Sequence, residues 1–169
     1  ANGQVELTTT PYYHPIMPLL MMEGWTMEDG IRVNKDAWPE DVQNHLITGM
    51  DLFEDELGFR PTGMWPSEEA VSPAMVQPVT DVGIEWMVTD EEILKQSTNQ
   101  NGDYIDVEDV TNLATPWKVT GADGGEVTVI FRDRVISDRI AFQYGTMTPE
   151  AAVSDFIAYL DNIRQQLLD

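Results

Sequence analysis

A chain of 169 residues with 42% hydrophobic content is globular and single-domain in size, long enough to bury about two-thirds of the surface its unfolded form exposes. Against 9 Lys+Arg stand 30 Asp+Glu, a formal net charge of -21 that repels nucleic acid, anionic membrane surfaces and phosphate-rich ligands. Zero cysteines exclude disulfides, thiolate nucleophiles and thiolate metal sites, and the 2 histidines, His14 and His45, are too few for a histidine-rich metal centre or for metal-dependent deacetylase chemistry.

The acidic balance suits a protein kept soluble in concentrated salt, where screening removes most of the self-repulsion. No apolar run is long enough to span a membrane, since Met17 to Met22 is short and interrupted by Pro18. The sequence also lacks a basic, then apolar, then small-residue leader, so a cytoplasmic location is expected.

In chain order, Gln4 to Thr9 alternates and is β-branched enough to be a strand ending at the turn-like Thr10-Pro11. After a long loop, Asp36 caps a helix with Pro39 in its first turn. Trp38, Val42, Leu46, Met50, Phe53 and Leu57 recur at spacings of three and four, and Gly58 stops it. Thr62 to Trp65 reads as a second short strand. Ser72-Pro73 opens a helix that closes near Gly83, bent or shortened by Pro78. Ile84 to Thr89 is a third strand, Asp90 to Lys95 a helical turn, and Gln96 to Gly102 a polar loop. Trp117 to Thr120 and Val127 to Arg132 flank a glycine-rich turn and form a hairpin. Thr148-Pro149 starts the last helix, where Ala152, Phe156, Leu160, Ile163 and Leu167 make one apolar face that needs covering. Alternation of strands and helices indicates a mainly parallel α/β sheet or barrel with one β-hairpin.

Polar clusters fall just after the strands, where a parallel sheet holds its ligand crevice. In Gly63-Met64-Trp65-Pro66-Ser67-Glu68, the carboxylate of Glu68 either faces such a crevice or merely favours the start of the next helix beside a core tryptophan. Trp65 offers a flat apolar face of the kind on which sugar rings stack. The other clusters are Thr10 to Pro18, with Tyr12 and His14; Thr89-Asp90-Glu91-Glu92; and Phe131 to Asp138, with Arg132, Asp133 and Asp138. His14 reads either as a satisfied loop histidine or as a ligand contact, and Arg132 with Asp133 either as an internal ion pair or as binding groups. His45, inside an amphipathic helix, reads as structural.

In this order the segments resemble the catalytic domain of glycoside hydrolase family 57, the α-amylase, amylopullulanase and glucanotransferase family, and most of all its amylopullulanase-like branch. The likeness is carried by Gly3-Gln4-Val5-Glu6 running into Tyr13-His14-Pro15-Ile16-Met17-Pro18, by Gly63 to Glu68 with Val71-Ser72-Pro73, by Thr89-Asp90-Glu91, and by Phe131-Arg132-Asp133 with Ser137-Asp138. The resemblance implies a distorted (β/α)7 barrel, here a partial one or a parallel-rich sheet flanked by helices, with no cofactor and no metal. It implies a retaining mechanism on α-linked glucans or oligosaccharides, with Glu68 as nucleophile and Tyr12, His14, Trp65, Asp90, Arg132, Asp133 and Asp138 as substrate contacts.

Retention needs a second carboxylic acid about 5 Å away. The family draws it from a later Asp-Gly-Glu-like motif, which this sequence lacks along with the family's His-Gln-Pro-like first motif. Residues 1–169 are therefore expected to be one domain, the central part of a longer catalytic domain, and turnover by this polypeptide alone is not expected. Asp133, Asp138 and Asp90 are its only sensible local substitutes for the acid. The alternative reading is a non-catalytic carbohydrate-binding remnant that keeps Trp65, Tyr12 and His14. Open sheet edges lead to an expectation of self-association.

Overall fold

The computed structural model describes residues 3–21 and 37–168. They form two compact units, Ala1–Thr89 with Trp117–Val129, and Asp90–Pro116 with Ile130–Asp169.

In the first unit, α1 (Met17–Met21) precedes α2 (Pro39–Leu57). Pro39 occupies the first turn of α2, where its missing N–H costs nothing, and Glu40 and Asp41 sit at the positive end of the helix. Asp36, the expected cap, lies outside the described residues. The apolar stripe is buried through its middle, at Val42, Leu46 and Met50, while Trp38 and Leu57 at its two ends stay half exposed. Gly58 ends the helix as expected. It takes φ 80°, a left-handed conformation that costs glycine nothing, and its N–H closes onto the Glu54 carbonyl.

The strand β1 is only Gly63–Met64 and pairs in parallel with β2 (Trp86–Asp90), Gly63 opposite Trp86 and Met64 opposite Met87. Between them run two 3-10 turns, Ser67–Glu69 and Pro73–Met75, and α3 (Val76–Asp81). Pro78 falls in the first turn of α3, where it interrupts no hydrogen bond. After α4 (Glu91–Lys95) and α5 (Val110–Ala114), β3 (Trp117–Thr120) and β4 (Glu126–Arg132) make the expected antiparallel hairpin, with Trp117 opposite Val129 and Thr120 opposite Glu126. Strand order is β1-β2-β4-β3. Among the described residues the sheet is open, so the barrel expectation resolves to a partial, unclosed sheet flanked by helices.

The expected first strand is not one. Only Thr9 bridges Met64, in parallel; Val5 and Leu7 are exposed, so the alternation of Gln4 to Thr9 has no face to bury. What ties this segment down is Glu6, whose carboxylate accepts from Trp86 Nε1 at 2.9 Å and Thr62 Oγ1 at 3.2 Å. The core beneath is methionine-rich, with Met17, Met50, Met64, Met75 and Met87 packed among Val42, Leu46, Val79, Ile84 and Val127. Unbranched, adaptable side chains of this kind fill the irregular space between short elements.

The second unit buries less, chiefly Leu94, Ile105 and Phe131. Its helices are started by side-chain caps: Asp90 on α4, Asp109 on α5 and Asp133 on α6 (Arg134–Asp138). A π turn, Arg139–Gln143, and a 3-10 turn, Tyr144–Thr146, lead to α7 (Pro149–Gln166), capped by Thr148. Asp155 anchors α7 by accepting from Arg139 Nη1 at 2.9 Å and the Tyr144 hydroxyl at 2.8 Å. On its apolar face Ala152, Phe156 and Ile163 are half-buried, while Leu160 and Leu167 remain exposed. Gln96 to Gly102 is a loop, as expected, held by Asn99 Oδ1 accepting from the N–H groups of Asn101 and Asp103. Among the described residues no helix is long and apolar enough to cross a membrane.

Candidate active site

Two segments of the first unit meet at the C-terminal end of β1. The first is Thr9–His14. Thr9 is stitched to β1 on both sides, its N–H donating to the Gly63 carbonyl at 3.0 Å and its carbonyl accepting from Trp65 N–H at 2.8 Å. The chain then turns against α2, where Tyr12 N–H donates to the His45 carbonyl at 3.1 Å. A Cβ at Gly49 would sit 3.0 Å from the Thr10 carbonyl, so a residue without a side chain permits this approach. His45 thus holds this turn through its backbone carbonyl and through its ring, which lies edge-on to that of Tyr13 at 6.1 Å.

The second segment is Trp65–Ala70, closed by Glu69 N–H onto the Pro66 carbonyl at 2.9 Å and Ala70 N–H onto Ser67 at 3.1 Å. Both segments carry backbone strain at the same kind of position. Tyr13 and His14 have φ 59° and 54°, and Glu68 and Glu69 have φ 54° and 56°. Each such non-glycine residue costs about 1 kcal/mol or more, and conformations of this kind concentrate where the chain must aim a side chain.

Here the aimed side chains are His14 and Glu68, with Nε2 to Oε1 at 3.4 Å. His14 Nδ1 lies 3.3 Å from Thr10 Oγ1. A consistent assignment has the Thr10 hydroxyl donating to Nδ1 and the Nε2–H donating to the Glu68 carboxylate. Both partners remain open to ligand, with side-chain exposures of 42% for His14 and 70% for Glu68. Trp65 is 44% exposed, its ring centroid 6.0 Å from that of His14 and tilted by 58°. Tyr12 stacks obliquely on Tyr13 at 4.4 Å, and the hydrogen bond between them pushes the Tyr12 phenol above its ordinary range. Thr8–His14 and the α2 residues Leu52, Phe53 and Leu57 line an open groove of about 510 Å³, within the range of small-molecule clefts.

The first unit therefore brings together His14, Trp65 and Glu68, with Tyr12 two residues before His14 on the same segment. Tyr13, 83% exposed and strained, lies between Tyr12 and His14 with its ring edge-on to His45; the sequence placed it in the family motif but not among the substrate contacts. Thr10 and the buried Ser67, whose hydroxyl has no partner among the described residues, complete the surroundings.

The other expected residues lie in the second unit. Arg132 donates to Asp90 Oδ2 through Nε at 2.9 Å, with Nη2 at 2.8 Å, and Asp90 Oδ1 accepts the Glu92 N–H at 2.9 Å. Burial opposes ionisation of Asp90, but the Glu92 N–H and the Arg132 guanidinium outweigh it and hold its pKa below the usual carboxylate value. Asp133 Oδ1 accepts the Ile136 N–H at 3.1 Å and its Oδ2 accepts the Tyr159 hydroxyl at 2.6 Å, while Asp138 faces Arg134 at 4.0 Å. Burial first, and then the bond to Asp133, raises the Tyr159 phenol. Burial likewise raises Glu91, whose carboxylate accepts the Arg134 N–H. Among the described residues no group of three or more His, Asp or Glu side chains could hold a metal ion.

The lowered pKa of Asp90 gives a pH signature. A group whose folded pKa is depressed contributes stability above its unfolded pKa and loses it as pH falls through the folded value. Replacing Arg132 by Gln is expected to cost at most about 1 kcal/mol near neutrality, since the guanidinium is partly exposed. That difference shrinks toward zero below the carboxylate range in urea titrations from pH 7 to pH 2. A difference that does not change with pH would show that the ion pair does not set the Asp90 pKa.

The model of glycosyl hydrolase family 57 matches residues 1–168. The chain belongs to glycosyl hydrolase family 57. Among solved structures, this family 57 chain is similar to 4-alpha-glucanotransferase from Thermococcus litoralis, at 20% identity and TM-score 0.60, over 95% of this chain and 20% of that one. It is also similar to the alpha-amylase AmyC from Thermotoga maritima, at 18% identity and TM-score 0.57, over 82% of this chain and 22% of that one. A third is the GH57 branching enzyme TK1436 from Thermococcus kodakaraensis, at 15% identity and TM-score 0.55, over 84% of this chain and 26% of that one. The family 57 chain thus spans about a fifth to a quarter of the length of these structures. No curated protein sequence matches it.

Proposed function

We propose that this family 57 chain is the nucleophile-bearing part of an α-glucan-active retaining glycoside hydrolase, the central part of a longer catalytic domain. The observation that supports this most is the contact of His14 with Glu68, each presented by a left-handed backbone at the end of β1. In this reading Glu68 Oε attacks the anomeric carbon and forms a glycosyl ester as the bond from that carbon to the leaving oxygen breaks. The oxygen takes a proton from a second carboxylic acid, and water, deprotonated by that same group, later cleaves the ester. His14 orients the carboxylate through its Nε2–H and meets sugar hydroxyls, while Trp65 and Tyr12 offer ring faces for stacking.

Asp90, Arg132, Asp133 and Asp138 are proposed as further glucan contacts. Asp90 and Asp133 each commit one oxygen to a helix cap, and the side chains of Arg132 and Asp138 are 40% and 46% exposed. The test of the function is capture of the glycosyl ester. Peptide mass spectrometry of the chain treated with an activated fluoro-sugar of α-glucose configuration is expected to find the added mass on the peptide holding Glu68.

The same proposal extends to self-association. The outer strand β3 is paired on one side by β4, and α7 leaves Val153, Ile157 and Leu160 exposed. Light scattering of the isolated chain in concentrated salt is expected to give a mass above that of one chain, and a clean single-chain mass would refute it.

A further inference from the structure

Left-handed conformations at two successive glutamates do not hold themselves, and the turn that contains them needs a fixed point. Thr89 is such a point. It lies in β2 and is 0% exposed, and its hydroxyl donates to the Glu69 carbonyl at 2.6 Å, a short bond across the gap between the strand and the Ser67–Glu69 turn. A β-branched side chain is stiff at χ1, and with Thr89 0% exposed the hydroxyl is a fixed post rather than a passing contact. The carbonyl it grips closes the Glu69–Ala70 peptide, so the bond restrains the left-handed conformation of Glu69, the residue directly after Glu68, and through it the turn from which the Glu68 side chain leaves the backbone. Losing the bond frees Glu69 to relax toward the right-handed region, which L residues prefer, and the turn that moves with it carries the Glu68 carboxylate away from His14.

We propose that Thr89 is a positioning residue for Glu68, acting through the Glu69 carbonyl; the inference rests on the reading of Glu68 as nucleophile. It implies an effect on the rate of bond formation at Glu68 and not on the affinity for sugar, because Thr89, 0% exposed, offers no surface to a sugar.

The test compares the unaltered chain with Thr89→Val, which keeps the shape and removes the hydroxyl, and Thr89→Ser, which keeps the hydroxyl. Hydrogen exchange at the amides of Glu69 and Ala70 is expected to be about tenfold faster in Thr89→Val, to return to the original rate in Thr89→Ser, and to be unchanged for α2 amides in both. Labelling by the activated fluoro-sugar at saturation is expected to be about tenfold slower in Thr89→Val, at unchanged half-saturating concentration, and near normal in Thr89→Ser. If Thr89→Val does not fold, Thr89→Ala removes the same hydroxyl without placing a methyl against the carbonyl. Unchanged exchange at Glu69 and Ala70, a uniform rise across the whole first unit, or full-rate labelling by the hydroxyl-free variant would each overturn the inference. Failure of both the unaltered chain and a longer chain carrying the remaining family motifs to be labelled at Glu68 sinks the reading of Glu68 and with it the catalytic half of the inference. The exchange result then decides separately whether Thr89 holds the turn.

Discussion

Glu68→Gln is expected to abolish covalent capture of an activated fluoro-sugar of α-glucose configuration, lowering labelling by roughly three orders of magnitude or more. In the proposed step the carboxylate oxygen forms an ester to the anomeric carbon while the bond from that carbon to fluorine breaks and fluoride leaves with the electron pair. Because fluoride departs without help, the step depends little on a proton donor, so this chain can be tested even if the acid belongs to sequence outside it. The amide oxygen of Gln is a poor nucleophile and cannot carry the negative charge that becomes the ester. The substitution is close to isosteric, and Glu68 is largely exposed, so folding is expected to be unaffected and loss of label speaks to chemistry. A chain that includes the remaining family motifs is the fair control, since it supplies complete sugar subsites. Labelling at Asp133 or Asp138 in place of Glu68 would overturn the assignment.

Gly63→Ala is expected to destabilise the first unit by about 3 kcal/mol and to loosen the Glu68 turn with it. A Cβ at position 63 would lie 2.3 Å from two carbons of the Trp86 indole, a distance no real contact tolerates. The ring cannot simply swing aside, because its Nε1–H donates to Glu6, the group that also binds Thr62 and ties the Gly3–Thr9 segment to the sheet. Gly63 also accepts from Thr9 N–H and lies two residues before Trp65, so a shift here propagates into both segments of the site. Urea denaturation measures the loss. In a Trp86→Ala background the same substitution is expected to cost less than 1 kcal/mol, roughly the intrinsic glycine-to-alanine effect, and a full-sized cost there would rule out the clash with Trp86 as the cause.

The helices with local signals are where the sequence shows them. Pro39 and Gly58 bound α2, Thr148-Pro149 starts α7, and the glycines after Thr120 turn the β3–β4 hairpin, because caps, prolines and left-handed glycines act within a few residues. The family motifs were equally legible: Trp65-Pro66-Ser67-Glu68 and Tyr13-His14-Pro15 are contiguous stretches, and they carried the assignment to family 57 together with Glu68 as the residue to test. Gln4 to Thr9 misled because alternation specifies a strand only if a neighbour presents a ladder and a face to bury, and Thr9 alone finds both.

What only the tertiary structure decided is how residues far apart in the chain share work. His14 and Glu68 are separated by 54 residues, and nothing local to either indicates that both take left-handed backbones and meet. The hydroxyl of Thr89 finds a carbonyl 20 residues away, and Trp86 finds Glu6 across 80. Asp90 and Asp133 look in sequence like ligand-facing carboxylates, yet each has an oxygen bound to a helix N-terminus, because a cap and a binding group are the same residue type until its partner is known. Propensity and capping are short-range and can be read from the sequence, whereas the partner of a polar atom and the strain a backbone bears depend on which distant segments the core brings into contact.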